Sequence, residues 1–377
     1  MGGITHCAGR PDQPPVKDPA MVLKEFLPLE LVFMPAWWHK HYGIKFDQSF
    51  YLDKETRIRN EQAMNQALYE RYGEMRLGQA DYERRPILGS KHVAGGFVVP
   101  ALMGCQIDFV EDRNLYTMGV SLTDEQAMQL EVPDPRTTWP MNQLLADMDE
   151  LEAEFGYVEG DFDLDGAFNL AISLRGQHLF LDFRKAPAIA RRLLDVCARA
   201  LVAVAECVKS RTGTLSIATN RMITHVDKSL FLHSNCSVQM VSPATYTEFL
   251  LEPELYLAAR LQPYGIYYCG SNMHRYTATY ARVPAAFFDV GWGIGRGRLP
   301  QSFARAFLQP PAQPGADEQR LTRRDRRWRR APAHQLPALG AGRGMLHQHG
   351  PQHAGRKLVG DVRNRAALSP VRRVKWF

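Results

Sequence analysis

Two things are scarce in this chain: long apolar runs and, over residues 294–377, acidic charge. No stretch of 18 apolar residues occurs, so no segment is expected to cross a bilayer as a helix. The opening Met1-Gly2-Gly3-Ile4-Thr5-His6-Cys7 lacks a charged start followed by an apolar run, which argues against a secretory signal. Cysteine is sparse as well. Cys7, Cys105, Cys197, Cys207, Cys236 and Cys269 stand without framework spacing and read as reduced thiols of a cytoplasmic protein.

The shortage of acid divides the chain. Of 46 basic and 40 acidic residues, residues 294–377 hold 18 basic and four acidic, a net of +14, which leaves −8 for residues 1–293. After Gly291-Trp292-Gly293 the text turns to Arg, Pro, Gly, Ala, Gln and His, as in Arg323-Arg324-Asp325-Arg326-Arg327-Trp328-Arg329-Arg330, and apolar periodicity fades. Such a stretch does not easily bury a core. Three readings compete: a nucleic-acid-binding arm with Trp328 as a stacking residue, a disordered extension, and a shifted reading frame of a GC-rich gene. The letters favour the third. Met345 is ATG, and with a CTN codon for Leu346 a reading one nucleotide later forces a cysteine. The following His347-Gln348-His349-Gly350-Pro351-Gln352-His353, read the same way, permits Ile-Asn-Met-Asp-His-Ser. Nucleic acid is therefore not an expected partner.

The acidic portion suits one large domain. Residues 1–20, with Pro11, Pro14, Pro15 and Pro19, read as a flexible leader, residues 21–293 as the body and residues 294–377 as the basic tail. In the body, Leu29 to Trp38 reads as a buried strand ending in His39-Lys40-His41. A helix capped by Asp53 carries Met64, Ala67, Leu68 and Tyr72 on one face and stops at Gly73. Phe97 to Met103 reads as the next buried strand. Trp139-Pro140 opens a helix with Leu144, Leu145, Met148, Leu151 and Phe155 at helical spacing. Gly156 to Glu159 reads as a short strand and Asp161 to Gly176 as a loop.

Pro187 to Ser210 gives the cleanest period: Leu193, Leu194, Cys197, Leu201, Val204, Ala205 and Val208 form a stripe, with Arg191, Arg192, Asp195, Arg199 and Lys209 facing out. A strand is expected around Thr214 to Ala218, and Phe231-Leu232-His233 leads into a loop. Ser242-Pro243 caps a helix that Pro253 should split, and Gly265 to Gly270 and Ala285 to Val290 read as the last strands. Short apolar strands alternating with amphipathic helices imply a parallel sheet, and this many repeats favour a barrel. The number of strands stops short of eight.

Several constellations carry potential chemistry. Asp161-Phe162-Asp163-Leu164-Asp165-Gly166 opens like a calcium loop, but Ile172 stands where a bidentate Glu belongs, so a carboxylate loop at a barrel mouth, with Asp163 as its candidate, or a solvated turn fits better. Cys269-Gly270 ends a strand and is followed by His274. Strand ends supply the site of a parallel barrel, and a thiolate suits zinc that activates another thiol; against this stands a buried small hydrophobe beside a surface histidine. His233, Asn235 and Cys236 follow a strand, as do His39, Lys40 and His41. Gly340-Ala341-Gly342-Arg343-Gly344 has no strand before it or helix after it and is not a dinucleotide loop.

Three stretches carry a resemblance: Gly166-Ala167-Phe168-Asn169-Leu170-Ala171 to Leu174-Arg175-Gly176; Ser237-Val238-Gln239-Met240-Val241-Ser242-Pro243-Ala244-Thr245-Tyr246; and Tyr267-Tyr268-Cys269-Gly270 with His274 and Asp289. Over residues 25–293 they resemble the uroporphyrinogen decarboxylase superfamily, which includes zinc-dependent, corrinoid-linked methyltransferases. The resemblance implies an α/β fold, a (β/α)8 TIM barrel, here incomplete at its C-terminal strands. It also implies a small-molecule substrate, zinc as cofactor and a corrinoid protein as methyl-donor partner. Decarboxylases carry Arg-Gln-Ala-Gly-Arg where this chain has Trp37-Trp38-His39-Lys40-His41-Tyr42. Methyltransferases bind zinc through His-x-Cys and a distant Cys; Cys269 matches the first Cys, Tyr267 occupies the His position, and the shifted frame supplies the distant Cys.

The favoured expectation is a zinc-thiolate methyltransferase-type enzyme in its intact form, with Cys269 and His274 as metal ligands and His39, Lys40, His41, Asp163 and His233 as candidate catalytic residues. The alternatives are a carboxy-lyase of tetrapyrrole metabolism, in which Lys40 and His39 would hold carboxylates, and a barrel remnant or basic-tailed binding protein without activity.

Overall fold

A computed structural model describes residues 33–290 except 76, 94–95, 216–228 and 271, together with the backbone of Phe307–Gln309. The leader, the first residues of the expected opening strand, most of the strand expected near Thr214 and the rest of the basic tail lie outside the described residues.

The chain opens with α1 (Pro35–Tyr42), α2 (Gln48–Leu52) and α3 (Lys54–Tyr72). The Asp53 side chain accepts from the Thr56 N–H at 2.7 Å and starts α3 where the sequence placed its cap. The opening strand expected to reach Trp38 is corrected: Pro35 to Trp38 are the first turn of α1. Proline's fixed φ suits the first helical position, and an apolar run this short carries no period to separate strand from helix. The strand expected over Phe97 to Met103 is likewise α4 (Val98–Leu102). Pro100 would break a strand's hydrogen-bond ladder, but at the third helical position its missing N–H costs nothing.

A hairpin of β1 (Gln106–Asp108) and β2 (Tyr116–Met118) precedes α5 (Asp124–Gln129) and α6 (Met141–Phe155), the latter stopped by Gly156 at φ 80°. Then come α7 (Ala167–Arg175), α8 (His178–Lys185) and the long α9 (Pro187–Thr212). The loop expected from Asp161 to Gly176 therefore ends at Gly166, where α7 begins.

All seven residues of the stripe read from the sequence are buried in α9, which packs on α5, α7, α8 and the later α10 (Leu251–Arg260). Each fully buried Leu or Val there contributes about 1.5–3 kcal/mol. Pro253 does not split α10; instead a π-turn, Tyr246–Leu250, precedes it, with the Leu251 N–H bonded to the Tyr246 carbonyl.

The parallel sheet has the order β3 (Phe231–Ser234), β4 (Tyr264–Tyr268), β5 (Phe287–Val290) and β6 (Phe307–Gln309). Phe231 pairs with Tyr264, Gly265 with Phe287 and Phe287 with Phe307. β3, β4 and β5 are buried along their whole length, as expected of parallel strands covered on both faces. The expected strand at Gly156 to Glu159 is reduced to a single parallel bridge, Glu159 to Ile87. The Thr214 hydroxyl donates to the Gly160 carbonyl at 2.8 Å, which extends this row of segments. A closed eight-stranded barrel is not seen among the described residues; the regular parallel sheet has four strands. β6 lies within residues 294–377, so the expectation that Ala285 to Val290 is the last strand is corrected at that point.

Candidate functional site

The C-terminal ends of β3 and β4 point their following residues at one place. The register runs Phe231 to Tyr264, Leu232 to Gly265, His233 to Ile266 and Ser234 to Tyr267, and the Asn235 N–H continues it by donating to the Tyr267 carbonyl at 2.8 Å. Beyond the paired strands Cys236 opens a short 3-10 turn, Cys236–Met240, and Cys269 follows β4 directly. Their thiols lie within hydrogen-bonding reach of each other, and both pack against the cluster of Leu230, Leu232, Tyr267 and Phe287. That contact holds the Cys269 thiol below its ordinary pKa despite burial, and pushes the Cys236 thiol well up. Both side chains remain partly accessible.

The carboxylate loop packs on the same edge. Gly166 is required there, since a Cβ would lie 1.8 Å from the Ser234 carbonyl oxygen. Asp163 Oδ1 accepts from the Asp165 N–H at 2.9 Å and helps hold Asp165 at φ 65°. Asp165 Oδ1 accepts from Asn169 Nδ2 at 2.7 Å, and burial pushes its carboxyl above the usual range. Asn169 also donates to the Ser234 carbonyl at 3.3 Å and accepts from the Ser237 N–H at 3.1 Å, so it ties α7 to the segment carrying Cys236.

His233 has a defined role in this frame. Its Nε2 accepts from the Ala167 N–H at 3.0 Å, a donor with no alternative role, so the proton sits on Nδ1, 3.0 Å from Glu254 Oε1. His233 thus caps α7, whose own N-cap is the side-chain-free Gly166. The buried Glu254 gathers further donors: Tyr264 at 2.5 Å on the same oxygen, and Asn235 at 2.9 Å and Tyr246 at 2.7 Å on the other. Burial pushes its carboxyl up, but the His233 ring and these hydrogen bonds outweigh that and hold it below the usual carboxylate range.

The structure therefore joins Asp163, His233 and Cys269, through Asp165, Asn169, Ser234 and Cys236, at one end of the sheet. His274 lies on the turn Met273–Tyr276 that follows Cys269, and among the described residues no group of three His, Cys, Asp or Glu converges as a metal site. His39, Lys40 and His41 sit on α1, apart from these strand ends in the chain. His39 Nδ1 bonds the Ile44 carbonyl at 3.1 Å and Lys40 is exposed. His41 rests on the Trp37 ring, with its pKa lowered by burial and by nearby Arg71 and Lys40. Cys236, Asp165 and Asn169 stand in stretches the sequence singles out without marking them as site residues, and Glu254 carries no sequence signal at all. Only the strand register and the packing of α7 bring these groups together.

No family model matches the chain, and no curated protein matches it in sequence. Its structure is similar to that of a methyltransferase from Methanosarcina mazei, with a TM-score of 0.50 and 16% sequence identity over 77% of this chain and 80% of that one. The likeness bears on the fold: this chain shares a mixed helix-and-sheet architecture with a methyltransferase.

Proposed function

We propose that the chain is a methyltransferase-type enzyme acting on a small molecule at the C-terminal edge of its parallel sheet, with Cys269 as the central group. The observation that carries this reading is the Cys236–Cys269 pair just beyond two strand ends, with the Asp165–Asn169 pair packed on the same edge. The fold shared with a methyltransferase supports it. Asn169 positions the segment beside β3, and burial pushes the neighbouring Asp165 carboxyl above its usual range.

Zinc is part of the proposal as the metal of the intact site, and a corrinoid protein as the methyl donor. Thiolates are donors zinc prefers, and bound zinc would lower the pKa of a substrate thiol. The fit is incomplete, since the described residues offer two thiols where a catalytic zinc keeps three protein ligands. No step is therefore derived through the metal. The carboxy-lyase alternative draws on His39, Lys40 and Asp163, and its cations lie on α1 rather than beside the Asp163 loop in the chain.

Methyl transfer from a methylated corrinoid to a small thiol, followed by mass spectrometry, tests the reading. Transfer above background is expected from the chain with its frame restored after Trp292, falling at least about tenfold in Cys269→Ala. Equal rates in the two proteins would sink it.

A further inference from the structure

The neighbouring thiols support a second chemistry that does not depend on the methyltransferase reading. We propose that Cys236 and Cys269 are a reversible dithiol–disulfide couple, oxidised by a hydroperoxide. β3 and β4 are paired up to Ser234 and Tyr267, and each cysteine follows two residues beyond that pair, Cys236 opening the turn Cys236–Met240. The two thiols lie within hydrogen-bonding reach and share one apolar wall. Both are partly accessible, whereas Cys105 and Cys197 are buried. Asn169, bonded to the Ser237 N–H and the Ser234 carbonyl, holds the Cys236 segment in register.

The reaction balances without any group beyond the peroxide. The Cys269 sulfur attacks the peroxide, an S–O bond forms as the O–O bond breaks, and the departing oxygen takes a proton and leaves as water or alcohol. The Cys236 sulfur then attacks the Cys269 sulfur; the S–S bond forms, the S–O bond breaks and water leaves with the second proton. The two sulfurs together lose two electrons and the peroxide gains them. The disulfide removes both thiolates at once, so the couple would switch off any chemistry that uses Cys269.

Peptide mapping of the full chain tests this without an activity assay. Trypsin places Cys236 on Ser229–Arg260 and Cys269 on Leu261–Arg275, each with no other cysteine. After treatment with hydrogen peroxide and alkylation, a cross-linked pair of these peptides, lighter by two hydrogens than their sum and separated by dithiothreitol, is the expected result. In Cys236→Ser the intermediate has no resolving partner, so a dimedone adduct on Cys269 should rise several-fold over the parent chain. The proposal is overturned if the parent chain shows no cross-link while Cys269 alkylates freely or advances to sulfinic acid. It is equally overturned if the dimedone adduct on Cys269 is as abundant in the parent as in Cys236→Ser. Loss of methyl transfer with the cross-link intact would leave this couple standing and count against the proposed enzyme alone.

Discussion

Glu254 is the residue on which the packing around the site depends. It is buried and accepts from His233, Asn235, Tyr246 and Tyr264, so four donors from the β3 segment, the π-turn and β4 meet on one carboxylate. Replacing it by glutamine puts an N–H where two of those donors need an acceptor, and Glu254→Gln should cost about 3 kcal/mol in chemical denaturation. The sign of the pH effect follows from its depressed pKa. On acidification the unfolded chain binds this proton first, so the stabilisation is full above the ordinary carboxylate value of 4.5 and is lost as the pH falls through the lower folded value. Melting temperatures across that acidic window should fall more steeply in the parent than in Glu254→Gln; parallel curves would contradict this. Sequence inspection offered no sign of the role, since Glu254 is one acid among several on an amphipathic helix and its partners lie up to 21 residues away.

Among the elements, α9 was the most legible and carries much of the core. Its stripe repeats at helical spacing from Leu193 to Val208 within a helix of 26 residues, long enough for period alone to settle the element and the face it buries. Leu201 is fully buried at its middle, and Leu201→Ala should cost about 2–5 kcal/mol in urea unfolding, with the exposed Arg199→Ala near neutral as the control. A cost below about 1 kcal/mol for Leu201→Ala would show that α9 does not anchor the core. The elements misread were the short ones. The runs ending at Trp38 and Met103 hold too few residues to show a period, and in both the proline that marks the start of a helix was outweighed by the apolar run.

For the whole molecule the charge asymmetry is decisive. A net of −8 over residues 1–293 against +14 over residues 294–377 is the observation behind the frame-shift reading, which rests on the letters and lies outside the described residues apart from β6. It makes a chemical prediction. The chain as given has two thiols at the sheet edge and is expected to bind well under one zinc per chain. A chain with the frame restored after Trp292 gains the cysteine encoded at Leu346 and should hold about one zinc, lost on Cys269→Ala. Metal analysis of both proteins checks this; a repaired chain without zinc, or one whose zinc ignores Cys269, would fail it. Sequencing the coding DNA around the Trp292 codon tests the frame shift itself.

What the sequence determined by itself was whatever local periodicity and local chemistry carry: the Asp53 cap, α6 and α9 with their buried faces, the strands at β4 and β5, and the presence of Cys269 at a strand end. Tertiary structure alone decided which of the candidate groups meet. The pairing of β3 with β4 that brings the segments carrying Cys236 and Cys269 together is a property of strand register, which two separate strands do not announce. The same packing turned His233 into a cap for α7, since a backbone N–H reached one ring nitrogen and a buried carboxylate the other. It left His39, Lys40 and His41 on a helix of their own, because Pro35 began a helix where the apolar run suggested a strand whose end would have faced the site.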